Sequence, residues 1–271
     1  MDAALSSGNG AAVRTAPAAR LAARALSVHA GARELVRELS IEFSPGELLA
    51  ILGRNGSGKT LTLHTLAGLR RPAAGEISLD GVPLAGLQRR AVALRLGLLP
   101  QDLEDAFVTT AMETVLIGRH PHLALWQWET AEDERLARAA LAAVDMGNFA
   151  ARRTDTLSGG EQRRVAVAAL LAQQPGIFLL DEPTNHLDPH HQLVVLSLFR
   201  DLARSGGTVI TTLHDPTLAA RFADRALLLH GDGRWTLGPV SEALTAASLS
   251  ELYLAPMMEL DQHGRRVFVS A

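Results

Sequence analysis

The sequence contains no cysteine. Disulfide cross-links and thiolate metal sites are therefore excluded, and a reducing compartment is compatible with the chain. No run of apolar residues approaches the ~20 needed to cross a bilayer. Stretches such as Ile177 to Leu180 and Leu227 to Leu229 have the length of buried strands. An excess of basic charge is also missing: 26 Lys and Arg stand against 29 Asp and Glu, a formal net charge of -3. Nucleic acid and anionic membrane surfaces both call for a basic footprint, so no nucleic-acid partner is expected. Residues 1–19 are rich in Ala, Ser and Gly with scattered Arg and lack the apolar centre of a secretory signal. Their acid-poor composition admits a transit peptide, but with little apolar periodicity they read as a flexible tail.

What is present is enough for one α/β domain with subdomains: 271 residues, 47% of them hydrophobic. Short strands are expected at Leu26 to Val28 and Leu39 to Phe43, around a turn at Gly31. A buried strand is expected at Glu47 to Leu52, followed by a helix from about Lys59 to Ala67 that Gly68 ends. Further strands are expected at Glu76 to Leu79, before the Asp80-Gly81 turn, and at Leu94 to Pro100. From about 102 to 160 the chain is rich in Ala, Leu and charge, and Asp133 to Val144 has helical spacing; this reads as an inserted helical subdomain. Strands at Ile177 to Leu180, Thr208 to Leu213 and Ala226 to His230 then alternate with helices at Glu161 to Gln173, His191 to Arg204 and Thr217 to Ala223. Arg234 to Leu237 follows a Gly231-Asp232-Gly233 hairpin signal. Buried strands alternating with helices imply a mainly parallel sheet.

Gly53-Arg54-Asn55-Gly56-Ser57-Gly58-Lys59-Thr60 fits the G-x-x-x-x-G-K-[ST] phosphate loop and lies between an expected strand and helix. The glycines let backbone N–H groups of the loop, through Asn55, Gly56 and Ser57, converge on phosphate. Lys59 supplies a point charge for the β- and γ-phosphates, and the Thr60 hydroxyl is a hard oxygen ligand for Mg²⁺. Ile177-Phe178-Leu179-Leu180 runs into Asp181 and Glu182 at the end of a buried strand, where α/β sheets bind ligands. Asp181 suits Mg²⁺ through water, and Glu182 suits orienting or deprotonating the attacking water. ATP and Mg²⁺ are the expected ligands.

These motifs lead to a family. Leu157-Ser158-Gly159-Gly160-Glu161 resembles the signature of ABC ATPases, which other phosphate-loop proteins lack. Gln101 resembles the Q-loop glutamine at a strand end, Asp188 in His186-Leu187-Asp188 the D-loop, and His214 the switch histidine ending the next strand. The resemblance runs from about Arg20 to about Tyr253. It implies a phosphate-loop NTPase fold: a RecA-like parallel-sheet core, an antiparallel β subdomain near the N-terminus, and the inserted helical subdomain, in an ATPase domain spanning 20–271. It implies Glu182, His214 and Gln101 as catalytic residues and Thr60, Gln101 and Asp181 as metal ligands. It also implies an ATP-bound homodimer in which Ser158, Gly159, Gly160 and Asp188 face the nucleotide of the other subunit. Ser158-Gly159-Gly160 equally reads as an N-capped turn, and both can hold. The partners implied are two transmembrane permease subunits and, indirectly, a solute-binding protein, with this chain on the cytoplasmic face of the cell (inner) membrane.

Ala30 stands where the family places an aromatic ring on adenine; the neighbouring His29 either stacks there or is a solvated loop residue. Glu161 stands where Gln is commoner. His120, His122, His190 and His191 lack the spacing and carboxylates of a metal site. Trp126 and Trp128 read as packing within the helical subdomain. Gly118-Arg119-His120-Pro121-His122, with Trp126, Glu129 and Asp133, resembles ATPases serving importers of ferric siderophores, haem and vitamin B12. The alternatives are an ABC ATPase for another solute, a soluble ABC protein acting on ribosomes or DNA, and a phosphate-loop kinase. The single ATPase domain and absence of a basic face oppose the soluble protein; the signature and D-loop oppose the kinase.

Overall fold

A computed structural model describes residues 19–102, 109–124 and 126–271. The tail expected over 1–19 lies, except for Ala19, outside the described residues; Ala19 itself is buried in the core. The first elements are β1 (Leu21–Ala30), β2 (Arg33–Phe43), β3 (Leu48–Leu52), α1 (Lys59–Leu66), β4 (Ala74–Leu79), β5 (Val82–Pro83), α2 (Arg89–Ala93) and β6 (Leu96–Leu99). Three helices follow, α3 (Ala111–Ile117), α4 (Ala131–Ala143) and α5 (Gly159–Gln173). Next come β7 (Ile177–Leu180), α6 (Pro189–Arg204), β8 (Thr208–Thr212), α7 (Pro216–Phe222), β9 (Arg225–Leu229) and β10 (Trp235–Pro239). The chain closes with α8 (Val240–Ala243), α9 (Ala246–Tyr253), β11 (Met257–Gln262) and β12 (Arg265–Ser270). The described residues between 103 and 174 form one unit, and the remaining described residues the other.

In the larger unit one sheet has the order β10-β9-β3-β8-β7-β6. Five of its strands, β9 to β6 in that order, are parallel, and β10 is antiparallel at one edge. β3, β7 and β8 are buried along their whole length. β3 and β7 are the continuous apolar runs that such two-sided strands call for, whereas β8 buries three threonines with its Val209 and Ile210. The second sheet, β2-β1-β4-β5, is antiparallel. β1 and β2 are longer than the expected strands. Their register shifts between Ala23 and Leu26, with Ala25 and Glu38 at positive φ, and such bulges break the alternation that marks a strand.

In the smaller unit α3 ends against α5 at Gly118. A Cβ there would lie 2.1 Å from the Ala169 carbonyl oxygen, so only glycine permits this approach. Next to it Arg119 is buried. Its Nε donates to Asp133 Oδ1 at 2.8 Å, and Nη1 donates to the Ala172 carbonyl at 2.7 Å and to Gln174 Oε1 at 3.0 Å. His122 Nε2 donates to the Gln173 carbonyl at 2.8 Å. The guanidinium thus caps the C-terminal carbonyls of α5, and Asp133 closes the first turn of α4 by accepting from Thr130 N and Oγ1. Trp126 and Trp128 do not pack as expected: they are 92% and 85% exposed. The chain between them and Asp133 is anchored by the Thr130 cap rather than by their rings.

Burial acts to raise the Asp133 carboxyl, but hydrogen bonds from Thr130 and Arg119 outweigh it and hold it at about 2, below the ordinary 3.8. A carboxyl depressed by folding stabilises the native state above its unfolded value, and that contribution is lost as pH falls from 3.8 through about 2. Asp133→Ala leaves Arg119 buried without its anion and is expected to cost about 3–5 kcal/mol. Urea denaturation at neutral pH measures the cost. The same experiment towards pH 2 should show the gap between parent and variant closing.

Candidate nucleotide site

The site is built at the C-terminal ends of the parallel strands. β3 ends at Leu52, and the chain turns back through Gly53 to Gly58 before α1 begins. A Cβ on Gly53 would meet Ser57 Oγ at 2.4 Å and the Leu229 carbonyl at 2.6 Å, so glycine is required. Gly58 N-caps α1 in the left-handed conformation, φ +101°. Lys59 folds back over this loop, 5% exposed, and its Nζ donates to the Gly53 carbonyl at 2.9 Å and the Arg54 carbonyl at 3.4 Å. Burial lowers its pKa, while the carboxylates of Glu182 and Asp181 act to raise it. Ser57 Oγ is buried under the loop with no hydrogen-bond partner.

A cleft of about 470 Å³ opens over the loop. It brings together Asn55, Gly56, Gly58, Lys59 and Thr60 with Gln101, Glu182 and His214. Gln101 and His214 do not end strands as expected; each lies two residues beyond one, after β6 and β8. Thr60 Oγ1 donates to Gln101 Oε1 at 3.4 Å. Asp181 follows β7 directly and is fully buried. Thr60, Gln101 and Asp181 offer hard oxygens of the kind that suits Mg²⁺, which binds few protein ligands and keeps several waters.

Glu182 is 5% exposed and has φ +49°, a strained backbone for a non-glycine residue. Its Oε1 accepts from His214 Nε2 and its Oε2 from Asn185 Nδ2. Its N–H donates to Thr212 Oγ1 at 2.8 Å, and the same hydroxyl donates to Asp181 Oδ1 at 2.7 Å. One threonine therefore links the two acids. Asn185 and Thr212 were not singled out in the sequence. Thr212 is a polar residue fully buried in β8, and Asn185 an amide three residues after Glu182; neither type nor spacing marks them in the sequence.

Ala30 and Leu35 supply apolar wall to the cleft. His29 does not line it; its Nε2 is 3.6 Å from Glu34 Oε1. In the smaller unit Ser158 N-caps α5 in a reciprocal capping box. Its N–H donates to Glu161 Oε2 at 2.7 Å, and its Oγ accepts from the Glu161 N–H at 3.3 Å. The Ser158 N–H, and the Ser158 Oγ donating to the same oxygen at 2.9 Å, lower the Glu161 carboxyl, so the acid that stands where glutamine is commoner serves as the acceptor of the cap. Gly159 and Gly160 open the helix. Asp188 N-caps α6, accepting from His191 N at 2.9 Å and His191 Nδ1 at 2.8 Å.

A glycine-bearing loop between a buried strand and a helix, with a buried lysine folded over it on a parallel sheet, defines the phosphate-loop nucleoside triphosphatases. The ABC transporter family matches residues 36–185. The hemin import ATP-binding protein of Streptomyces coelicolor is 40% identical over 246 residues, 90% of this chain and 86% of that protein. That of Pseudomonas entomophila is 39% identical, covering 84% of this chain and 90% of its own length. A metal-chelate type ABC transporter in an inward-facing conformation superposes with a TM-score of 0.81 at 29% identity, over 93% of this chain and 98% of that one. A dimeric ATP-binding cassette carrying ADP and phosphate superposes at 0.69 with 27% identity, over 81% and 98%. The chain belongs to the ABC transporter family, as an ATP-binding, ATP-hydrolysing subunit. Among the described residues no helix is long and apolar enough to cross a membrane.

Proposed function

We propose that this chain drives import of a metal chelate, with haem ahead of ferric siderophore and cobalamin. It works as an ATP-bound homodimer at the cytoplasmic face of the inner membrane, on two separate permease subunits fed by a solute-binding protein. The observation that carries the chemistry is the buried Glu182 carboxylate, held between Asn185 and His214 in the cleft that contains Lys59. The cargo reading draws support from relatives named for hemin import and from the metal-chelate type of the structural neighbour.

In this reading the loop amides from Gly53 to Thr60 and the Lys59 ammonium bind the β- and γ-phosphates. Glu182 accepts a proton from water as a new P–O bond forms and the bond to the β-phosphate oxygen breaks. His214 and Asn185 hold the carboxylate in place through the hydrogen bonds that they donate to it. Thr60 and Gln101, with Asp181 through water, would hold Mg²⁺, which would supply positive charge against the phosphates. Ser158, Gly159 and Gly160 of the second copy close the site. Their capping box fixes the start of α5, so its free backbone donors are already aligned for an anion. Asp188 contributes from the same interface.

A strain lacking this chain is expected to lose growth on haem as sole iron source and to regain it on complementation, with sugar and amino-acid uptake unchanged. Intact haem use with loss of siderophore or cobalamin uptake would replace the cargo. Normal uptake of all three chelates would end the chelate reading and leave the ATPase standing.

A further inference from the structure

We propose that Tyr253 is a positioning residue for hydrolysis: with the C-terminal hairpin it holds the loop that carries His214, and so sets where the imidazole meets Glu182. The inference rests on the reading of His214 given above. Tyr253 is the only tyrosine in the sequence and the last residue of α9. Its Oη donates to the backbone carbonyl of His214 at 3.2 Å. The histidine is thus tied at both ends: its ring to Glu182 and its carbonyl to Tyr253.

The next residues of the loop are tied to the same C-terminal elements. Thr217 Oγ1 accepts from the Phe268 N–H at 3.0 Å and donates to the Phe268 carbonyl at 3.4 Å. Phe268, on β12, is buried in one apolar cluster with Ala219 and Phe222 of α7 and with Leu249 and Leu252 of α9. Arg266 locks the hairpin to the preceding segment, with Nε on Glu259 Oε1 at 2.6 Å and Nη1 on the Val240 carbonyl at 3.0 Å. His214 and Asp215 are exposed, but the loop is braced from beneath by these packed elements. Burial, with Asp215 nearby, pushes the Tyr253 hydroxyl up to about 12, so it remains a protonated donor at any ordinary assay pH. The ring supplies packing and the hydroxyl supplies the bond, so the two contributions can be separated by one atom.

Tyr253→Phe keeps the ring and removes the bond. It is expected to lower kcat roughly 3- to 10-fold, the worth of one neutral hydrogen bond. KM for ATP should stay within about twofold, because the phosphate loop is untouched. In a His214→Ala background, followed by single-turnover phosphate release, the same change should have no further effect. Thr217→Val should act in the same direction as Tyr253→Phe. Parental kcat in Tyr253→Phe, or an equal loss with and without His214, overturns the proposal. The ¹⁵N resonances of the His214 imidazole give a readout independent of turnover: they should shift in Tyr253→Phe, and unmoved resonances overturn the positioning. Parental hydrolysis by His214→Ala would instead overturn the role given to the histidine, and the resonance shift would still decide whether Tyr253 positions it.

Discussion

Glu182→Gln is expected to lower ATP hydrolysis by about 10²-fold or more while ATP still binds, because a general base is lost and no phosphate contact is. The amide has the size and shape of the carboxylate, so the fold around it survives, but it takes no proton from water. ATP should then accumulate on the protein, and the ATP-bound homodimer with it. Light scattering in saturating Mg-ATP should report twice the monomer mass. The geometry adds a second expectation. Glu182 accepts from two donors, Asn185 Nδ2 and His214 Nε2. A glutamine has one acceptor oxygen and must turn its NH₂ towards one of them. Leaving a donor facing a donor costs about 1–3 kcal/mol, so the variant should melt earlier than the parent as well as turn over poorly. Hydrolysis at the parental rate would remove Glu182 from the chemistry, whatever the melting temperature showed.

The parts of the site that were legible in sequence are those whose meaning is local. Gly53 to Thr60 is one contiguous stretch, and its glycines answer to sterics within the loop, to the Leu229 carbonyl and to the Leu35 side chain. Asp181 and Glu182 end an apolar strand, a position that identifies itself. Gln101, Asp188 and His214 came through family resemblance; nothing in their immediate neighbours distinguishes them. Thr212 depends on register: only when Leu180 pairs with Thr211 in parallel strands does its hydroxyl reach both acids. Asn185 depends on the backbone turn at Glu182, whose positive φ no propensity would suggest. Other misses have similar causes. α3 carries a readable capping box at Thr110 and Glu113 but is only seven residues long. The hairpin of β11 and β12 turns at His263-Gly264 with both at positive φ, and its β11 strand is largely exposed, so it lacks an apolar alternation. Residue type points Trp126 and Trp128 to packing, yet both rings are exposed, and residue type alone does not register which side of the chain faces solvent.

Lys59→Ala is expected to weaken ATP binding and abolish measurable turnover. Lys59 lies with only 5% of its surface exposed, in a loop whose carbonyls at Gly53 and Arg54 already hold its ammonium. The site thus presents a positive charge where water is largely excluded, and there a charge-assisted bond to phosphate is strong. Truncating a buried, hydrogen-bonded charge of this kind costs about 2–5 kcal/mol, so the dissociation constant for ATP should rise by roughly 30-fold or more. Turnover should fall by a further ~10²-fold, because the charge matters most as negative charge builds on the transferring phosphate. Arginine should not restore it. A planar guanidinium needs more room than the ammonium, which sits 2.9 Å from the Gly53 carbonyl on a loop already closed around it. Calorimetric titration with ATP and a phosphate-release assay separate the two effects, and a melting curve excludes simple unfolding. If ATP affinity and turnover both stayed near parental values, the loop would not be the phosphate site, and the roles given to Thr60, Gln101, Asp181 and Glu182 around it would fall together.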